Sequence, residues 1–139
     1  MSQVTRFGVS MDEELLAKFD ALAKRRGAAN RSEAIRDLIR DALVEEGWQS
    51  GKGEAMAAVV IVYDHHSREI NRRLNHIQHE RTDAVVSSLH IHMDEHRCME
   101  IIVLRGERGL LNQLAYRIIG TRGVIHGRMV TSTTGKELA

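Results

Sequence analysis

The chain has 139 residues, of which 42% are hydrophobic and 28% are charged, so we predict one ordinary folded domain or two small ones. Its longest uncharged apolar run, residues 55–63, is well short of the ~20 residues of a membrane-spanning helix. The first residues contain no apolar signal segment, and the single cysteine excludes an intrachain disulfide framework. We therefore expect a cytoplasmic protein. The net charge of +1 indicates no particular class of partner.

Glycines divide this chain, which contains no proline. They are densest in the stretch GWQSGKGE, and we interpret residues 47–53 as a linker. The linker separates a first domain at residues 1–46 from a second domain at residues 54–132. Residues 133–139 then form a C-terminal tail.

The first domain begins with a segment in which apolar and polar residues alternate, as in a half-buried strand. The apolar positions are Phe7, Val9 and Met11, and the polar ones are Arg6, Gly8 and Ser10. A helix follows from Asp12, and a second begins near Asn30 or Ser32. One strand leaves its ladder groups unpaired, so we expect two chains to pair these strands antiparallel over interlocked helices. Arg6, Gly8 and Ser10 then face outward.

The second domain has the periodicity of strand, helix, strand, strand, helix and strand. The predicted elements are residues 54–63, 64–80, 84–93, 97–104, 108–119 and 124–131. A tight turn at residues 94–96 joins the second and third strands. This order is that of a split βαβ, ferredoxin-like unit, so the predicted fold class is α+β.

Histidines cluster in the second domain: seven of the eight lie within residues 65–96, and Cys98 follows them. On a strand, residues two apart share a face, so His90 and His92 project together. If the hairpin is centred on Glu95, His92 lies opposite Cys98, with Cβ atoms ~5 Å apart. Two imidazoles and a thiolate favour a borderline metal ion. The simpler interpretation is two exposed strand histidines and a small buried cysteine.

A fourth ligand decides what such a site can do. Water there would permit a catalytic zinc, whereas a protein ligand, with His76 or His79 as candidates from this chain or another, would make the site structural or sensory. A planar set suits Ni(II) or Cu(II) and a tetrahedral set suits zinc, so the metal stays open. We expect the nearby Glu95 and Glu100 to be solvated, and we predict that the protein is not an enzyme.

Two groups of residues in the first domain are candidates for contact with double-stranded DNA. A two-stranded ribbon fits the major groove, where Arg6 could bond guanine and Ser10 could bond several bases. At the start of the second helix, backbone N–H groups can hold a phosphate. The residues there are Asn30, Arg31 and Ser32. The alternative is that Arg6 and Ser10 are simply solvated.

Three parts of the sequence together resemble the nickel-responsive transcriptional regulators of bacteria and archaea. They are RFGVSMDEELL, RRGAANRSEAIRDLIR, and the His-x-His-x5-Cys hairpin in the βαββαβ domain. The first two are typical of many ribbon-helix-helix repressors, and their combination with the histidine-rich domain is highly specific. The resemblance implies a dimeric ribbon-helix-helix (β-α-α) unit followed by an ACT-type ferredoxin-like domain, assembled as a homotetramer, a dimer of dimers.

The resemblance also implies a nickel site at the tetramer interface. One square-planar Ni(II) per subunit would be bound by His90, His92 and Cys98 of one chain and by His79 of the facing chain, with His76 a bystander. Nickel binding would let the regulator hold operator DNA and repress nickel-uptake genes. The alternatives are a metal storage or trafficking protein, or a regulator that responds to Cu, Zn or Co.

By similarity, Arg6, Gly8 and Ser10 occupy base-reading positions, although Gly8 has no side chain to contact a base. Glu33 and Asp37, one helical turn apart, match positions that hold a second cation in some family members. We further expect nickel binding to order residues 80–85 and thereby to present a surface that includes Arg68 to the DNA backbone.

Overall fold

The computed structural model describes residues 3–138 of the chain. Residues 1, 2 and 139, the outer limits of the predicted first domain and tail, lie outside the described residues. The helices and strands in chain order are α1 (Glu13–Arg25), α2 (Arg31–Ser50), β1 (Glu54–Asp64), α3 (Arg68–Glu80), β2 (Val85–His92), β3 (Arg97–Glu107), α4 (Arg108–Ile119) and β4 (Val124–Thr131). Within this range, every helix is too short or too polar to cross a membrane.

Side-chain caps determine where the first three helices begin. The carboxylate of Asp12 accepts hydrogen bonds from the first turn of α1, and the Asn30 side chain accepts one from the Glu33 N–H at 2.9 Å. Ser67 caps α3 in the same way. The predicted start of α3 at residue 64 is therefore wrong: Asp64 still belongs to β1, where it pairs with Arg97 of β3.

The four strands form one antiparallel sheet in the order β2-β3-β1-β4. Alternate residues of β1 and β3 are buried beneath α3 and α4, with side chains such as Ile61, Ile102 and Leu114 in a single core. This is the predicted βαββαβ, ferredoxin-like arrangement, so the α+β assignment is confirmed.

The other face of the sheet, which carries no helix, is apolar and exposed. Leu89 and Ile91 of β2 and Val130 of β4 are all 41% exposed or more. Leu89 and Ile91 pair with Ile101 and Met99 of β3. These positions alternate with the residues that face the helices, so their side chains lie on the opposite face of the sheet. An apolar sheet face of this kind is typical of a surface that another chain covers.

The alternating segment at residues 6–11 forms no strand in the single chain, because a strand ladder requires a partner that the chain itself does not supply. Phe7 and Val9 are 72% and 60% exposed. The segment borders a groove of about 940 Å³ together with apolar side chains of α1 and α2, including Phe19 and Ile35. Pairing of this segment with a second chain stays a prediction.

The stretch predicted to be a linker is helical in its first half, which corrects that prediction. Helix α2 continues through Gly47 to Ser50 and ends where Gly51 adopts a left-handed conformation with a φ of 67°. The helix continues because Trp48 is buried in the core of the C-terminal domain, where the apolar contact stabilises another turn. Only residues 51–53 connect α2 with β1.

Candidate metal centre and DNA-binding surface

A tight turn between β2 and β3 sets the register of the hairpin. The Asp94 carboxylate accepts hydrogen bonds from the N–H groups of His96 and Arg97, at 3.0 and 2.8 Å, and from the Arg97 guanidinium at 2.9 Å. The two backbone hydrogen bonds are the main reason that the pKa of Asp94 is lowered to about 2. Because the turn is fixed in this way, His92 lies directly opposite Cys98, as predicted.

His90 and His92 lie on the same face of β2 as Cys98 does on β3, but the burial of these side chains differs. Cys98 is only 1% exposed, whereas the two histidines are on the exposed edge strand. Burial raises the pKa of the Cys98 thiol, and the nearby Glu100 carboxylate adds to this effect. A metal ion bound at this sulfur must therefore displace its proton.

A buried carboxylate lies next to the histidine pair. Glu100, which pairs with His90 in the hairpin register, is 1% exposed. It accepts hydrogen bonds from the Tyr63 hydroxyl at 2.8 Å and from the Gln78 amide at 2.9 Å, and His90 Nε2 lies 3.3 Å from it. Burial, followed by the bond to Glu100, raises the pKa of Tyr63, so its hydroxyl remains a donor. This network fixes the position of the carboxylate that contacts His90.

Four histidines gather at the turn end of the hairpin. The His65 ring centroid lies 4.6 Å from that of His92 and 4.3 Å from that of His66, and the rings of His66 and His96 lie 5.5 Å apart. His66 Nε2 is 2.6 Å from the carbonyl oxygen of Glu95, and His65 Nε2 is buried without a hydrogen-bond partner. His92 therefore packs against a second imidazole.

The two histidines of α3 are exposed and separate from the hairpin site. His76 contacts Glu80 at 3.0 Å on its own helix, and His79 is also exposed. Within residues 3–138 of one chain, no three His, Cys, Asp or Glu side chains are close enough together to hold a metal ion. The structure thus brings His92 and Cys98 together and leaves His79 apart, so a complete site requires a side chain from elsewhere or a rearrangement.

The predicted DNA-contacting residues are exposed, but Arg31 is already engaged. Arg6, Gly8 and Ser10 are all at the surface. The Arg31 guanidinium donates two hydrogen bonds, each 2.9 Å long, to the Asp20 carboxylate, and these lower the pKa of Asp20. A DNA phosphate would have to compete with that carboxylate for Arg31.

Three further predicted positions lie on helices α2 and α3, and two of them are in local ion pairs. Glu33 bonds to Arg36, which lowers the pKa of Glu33, and Asp37 lies 3.3 Å from Arg40. A second cation at these carboxylates would first have to displace the arginines. Arg68 is exposed in the first turn of α3, on the C-terminal domain.

Comparisons with known proteins assign both halves of the chain. Residues 56–132 match the NikR C-terminal nickel-binding domain, and residues 5–46 match the ribbon-helix-helix proteins of the CopG family. A protein from Thermococcus onnurineus is 47% identical over 98% of this chain and 99% of its own length. One from Desulfovibrio desulfuricans is 49% identical over the whole of both chains. Both carry the name nickel-responsive regulator.

The chain belongs to the nickel-responsive regulator family. The regulator therefore combines a ribbon-helix-helix DNA-binding domain with a nickel-binding domain, and the resemblance inferred from the sequence is confirmed. Because the family consists of transcription regulators, the prediction that the chain is not an enzyme is also confirmed. A solved structure of an uncharacterized Thermotoga maritima protein shares the fold, with a TM-score of 0.50 and 16% identity over 57% of this chain and 98% of that chain.

The regulator's Glu100 corrects one prediction from the sequence. We expected this carboxylate to be solvated, but it is buried because residues of β3 alternate between the two faces of the sheet, and Glu100 shares the helix-facing side with Cys98 and Ile102. That alternation is visible in the sequence and could have indicated burial. The partners Tyr63 and Gln78 come from β1 and α3, so no local pattern identifies them.

Proposed function

We propose that this regulator is a cytoplasmic homotetramer that binds operator DNA and represses nickel-uptake genes when nickel is bound. Each subunit would bind one Ni(II) through His90, His92 and Cys98 and through His79 of the partner subunit. The observation that carries this proposal is the hairpin register, in which His92 is opposite Cys98 and His90 is on the same face.

The donor set supports nickel on chemical grounds. Two imidazoles and a thiolate suit a borderline divalent ion, and a planar set of three nitrogens and one sulfur suits Ni(II) or Cu(II) better than zinc. A bound metal supplies the positive charge that replaces the proton of the buried Cys98 thiol. The names of the relatives favour nickel over copper.

The exposed apolar surfaces support assembly into a dimer of dimers. The segment at residues 6–11 needs a second chain to complete its strand pairing. The helix-free face of the sheet, with Leu89, Ile91 and Val130 exposed, provides a second and separate contact surface. Because these surfaces belong to different domains, one chain can contact two neighbours, and an exposed His79 on α3 is available to the site of another subunit.

The proposed DNA-binding surface includes two regions of the first domain and one residue of the second. Arg6, Gly8 and Ser10 would lie in the major groove, and the start of α2 at residues 30–32 would hold a phosphate. Arg68 would contact the DNA backbone from the C-terminal domain. Glu33 and Asp37 remain our candidates for a second cation, which would bind after release of their arginines.

Nickel titration combined with DNA footprinting tests the proposal. We expect one Ni(II) per subunit, a nickel–thiolate charge-transfer band, and protection of an operator that is lost when a chelator is added. Nickel binding without any DNA protection would instead indicate a storage or trafficking protein. Stronger DNA protection with Cu(II), Zn(II) or Co(II) than with Ni(II) would reject nickel as the effector.

A further inference from the structure

A buried arginine joins three separate parts of the chain at the junction between the two domains. Arg108, the first residue of α4, has a side chain that is only 7% exposed. Its guanidinium donates one hydrogen bond to the carbonyl oxygen of Lys52, between α2 and β1, and one to the Glu137 carboxylate in the C-terminal tail, both at 2.8 Å. It also lies 6.0 Å from the ring centroid of Trp48 at the end of α2.

Two glycines make room for this guanidinium. A Cβ atom at Gly47 would lie 2.9 Å from Arg108 Cζ, and one at Gly53 would lie 2.8 Å from Nη1. Gly47 is inside helix α2, where glycine is less favourable than alanine. The absence of a side chain at position 47 therefore has a local explanation: the Arg108 side chain fills that space.

The end of α2 is also bound to the second domain by contacts that do not involve the guanidinium. The Trp48 indole N–H donates to the carbonyl oxygen of Ser132 at 2.8 Å, directly after β4. The Gly109 N–H donates to the carbonyl oxygen of Gly51 at 3.0 Å. Helix α2 thus ends in a packed junction with the second domain.

A buried guanidinium is a costly way to obtain stability, because well-packed apolar groups of similar volume are often at least as stabilising. Here the cost is visible, since Arg108 Nε is buried without a hydrogen-bond partner. The charged side chain adds geometric specificity. Its hydrogen bonds to Lys52 and Glu137 form only when α2, α4 and the tail have one relative arrangement.

We propose that Arg108, Trp48 and Glu137 form a latch that fixes the direction of α2 relative to the nickel-binding domain. Arg108 and Glu137 are then positioning residues for operator binding, a role that rests on the proposed function. Helix α2 has 20 residues and so extends ~30 Å. A small rotation of α2 about its end at Trp48 therefore produces a larger displacement at its start, where residues 30–32 would contact the DNA. The latch holds both DNA-binding ends of a dimer in one orientation.

Trp48 fluorescence tests the latch directly, because Trp48 is the only tryptophan in the chain. In the full-length protein, Arg108→Gln and Glu137→Gln should shift the Trp48 emission to longer wavelength and increase its quenching by acrylamide. The matched control is Arg105→Gln, which removes an exposed ion pair with Glu54 inside the second domain. Emission and quenching that stay at the wild-type values in both latch variants would overturn the proposal.

Binding measurements separate positioning from simple stabilisation. With nickel bound, Arg108→Gln and Glu137→Gln should weaken operator binding by about tenfold, while nickel affinity stays within about twofold of wild type. A purely structural role predicts parallel losses in both affinities and would contradict the latch. The double variant should bind operator no more weakly than the weaker single variant, because both substitutions disrupt the same set of contacts. Additive losses would also contradict it.

Gly47→Ala keeps the proposal testable if Arg108→Gln does not fold. Alanine favours the helix, but its Cβ displaces the guanidinium, so Trp48 should become more accessible and operator binding weaker. Wild-type quenching in this variant would overturn the latch. If wild type and Arg105→Gln both fail to bind operator, the proposed function fails, and the fluorescence result still decides the latch.

Discussion

His92 and Cys98 lie directly opposite each other across the β2–β3 hairpin, so an imidazole and a thiol occupy one face of the sheet. The thiol is buried and its pKa is raised, whereas the imidazole is on an exposed strand. The pair therefore combines a candidate ligand that would have to lose a proton with a candidate that is accessible from outside the chain.

Replacing the buried sulfur should remove most of the nickel affinity. Cys98→Ser is nearly isosteric, so the fold should be retained, but nickel affinity should fall by more than about 100-fold, because substitutions outside the ligand shell already cost 10–100-fold. The charge-transfer band should disappear from the absorption spectrum. Wild-type affinity should also rise with pH near neutrality, since a raised thiol pKa means that binding releases a proton. A variant that keeps the band would exclude Cys98 as a ligand.

The buried carboxylate of Glu100, next to His90, should increase the nickel affinity of the proposed site. Glu100→Gln keeps the size of the side chain but removes the charge beside His90 Nε2, so nickel affinity should fall by about 10–100-fold. Isothermal titration calorimetry measures this loss. Glu95→Gln, on the exposed turn of the same hairpin, is the control and should bind nickel like wild type. Equal affinities of the two variants would mean that Glu100 has only a structural role.

The two α3 histidines provide a matched pair for the fourth ligand. His79→Ala should weaken nickel binding, and nickel should then no longer stabilise the tetramer, because a ligand shared across an interface favours the assembled state. His76→Ala should change neither property. Titration in an analytical ultracentrifuge reports affinity and assembly together. The opposite ranking of the two variants would show that our assignment of the α3 ligand is wrong.

Arg6 is exposed and has no part in the core, so Arg6→Ala should leave folding and nickel binding unchanged. If Arg6 bonds a base, specific operator affinity should fall by ~1–3 kcal/mol. Lys18→Ala, which breaks an exposed ion pair on α1, is the control. Equal losses on operator and random DNA would identify Arg6 as a phosphate contact.

Hydrogen exchange tests how nickel binding in the second domain affects DNA binding by the first domain. In the structure, the N–H groups of Ala84 and Val85 bond to the carbonyl oxygen of Arg81, at 3.0 and 2.9 Å, in the turn between α3 and β2. If nickel orders this segment, amide protection across residues 80–85 should increase on nickel binding, with both samples held tetrameric. Unchanged protection would favour tighter DNA binding by avidity alone.

The sequence was informative wherever a local pattern determines the structure. The bounds of α4 and β4 agree with the prediction, because helical and alternating periodicities end at clear breaks. The register of the hairpin could also be predicted, since a short turn with Asp94 leaves one pairing that sets residue 92 against residue 98. Hence the candidate ligands of one chain were identifiable from spacing alone.

By itself, then, the sequence determined the order of the elements in the second domain, the hairpin register and the family, all of which depend on residues that are close in the chain or on whole-length similarity. Only the tertiary structure decided the hydrogen-bond partners of Glu100, the continuation of α2 into the predicted linker, and the junction around Arg108. These features depend on packing between distant residues: Trp48 and Ser132, for example, are bonded although 84 positions separate them. Such contacts form because burial of apolar surface selects which distant elements meet, and no local pattern encodes that choice.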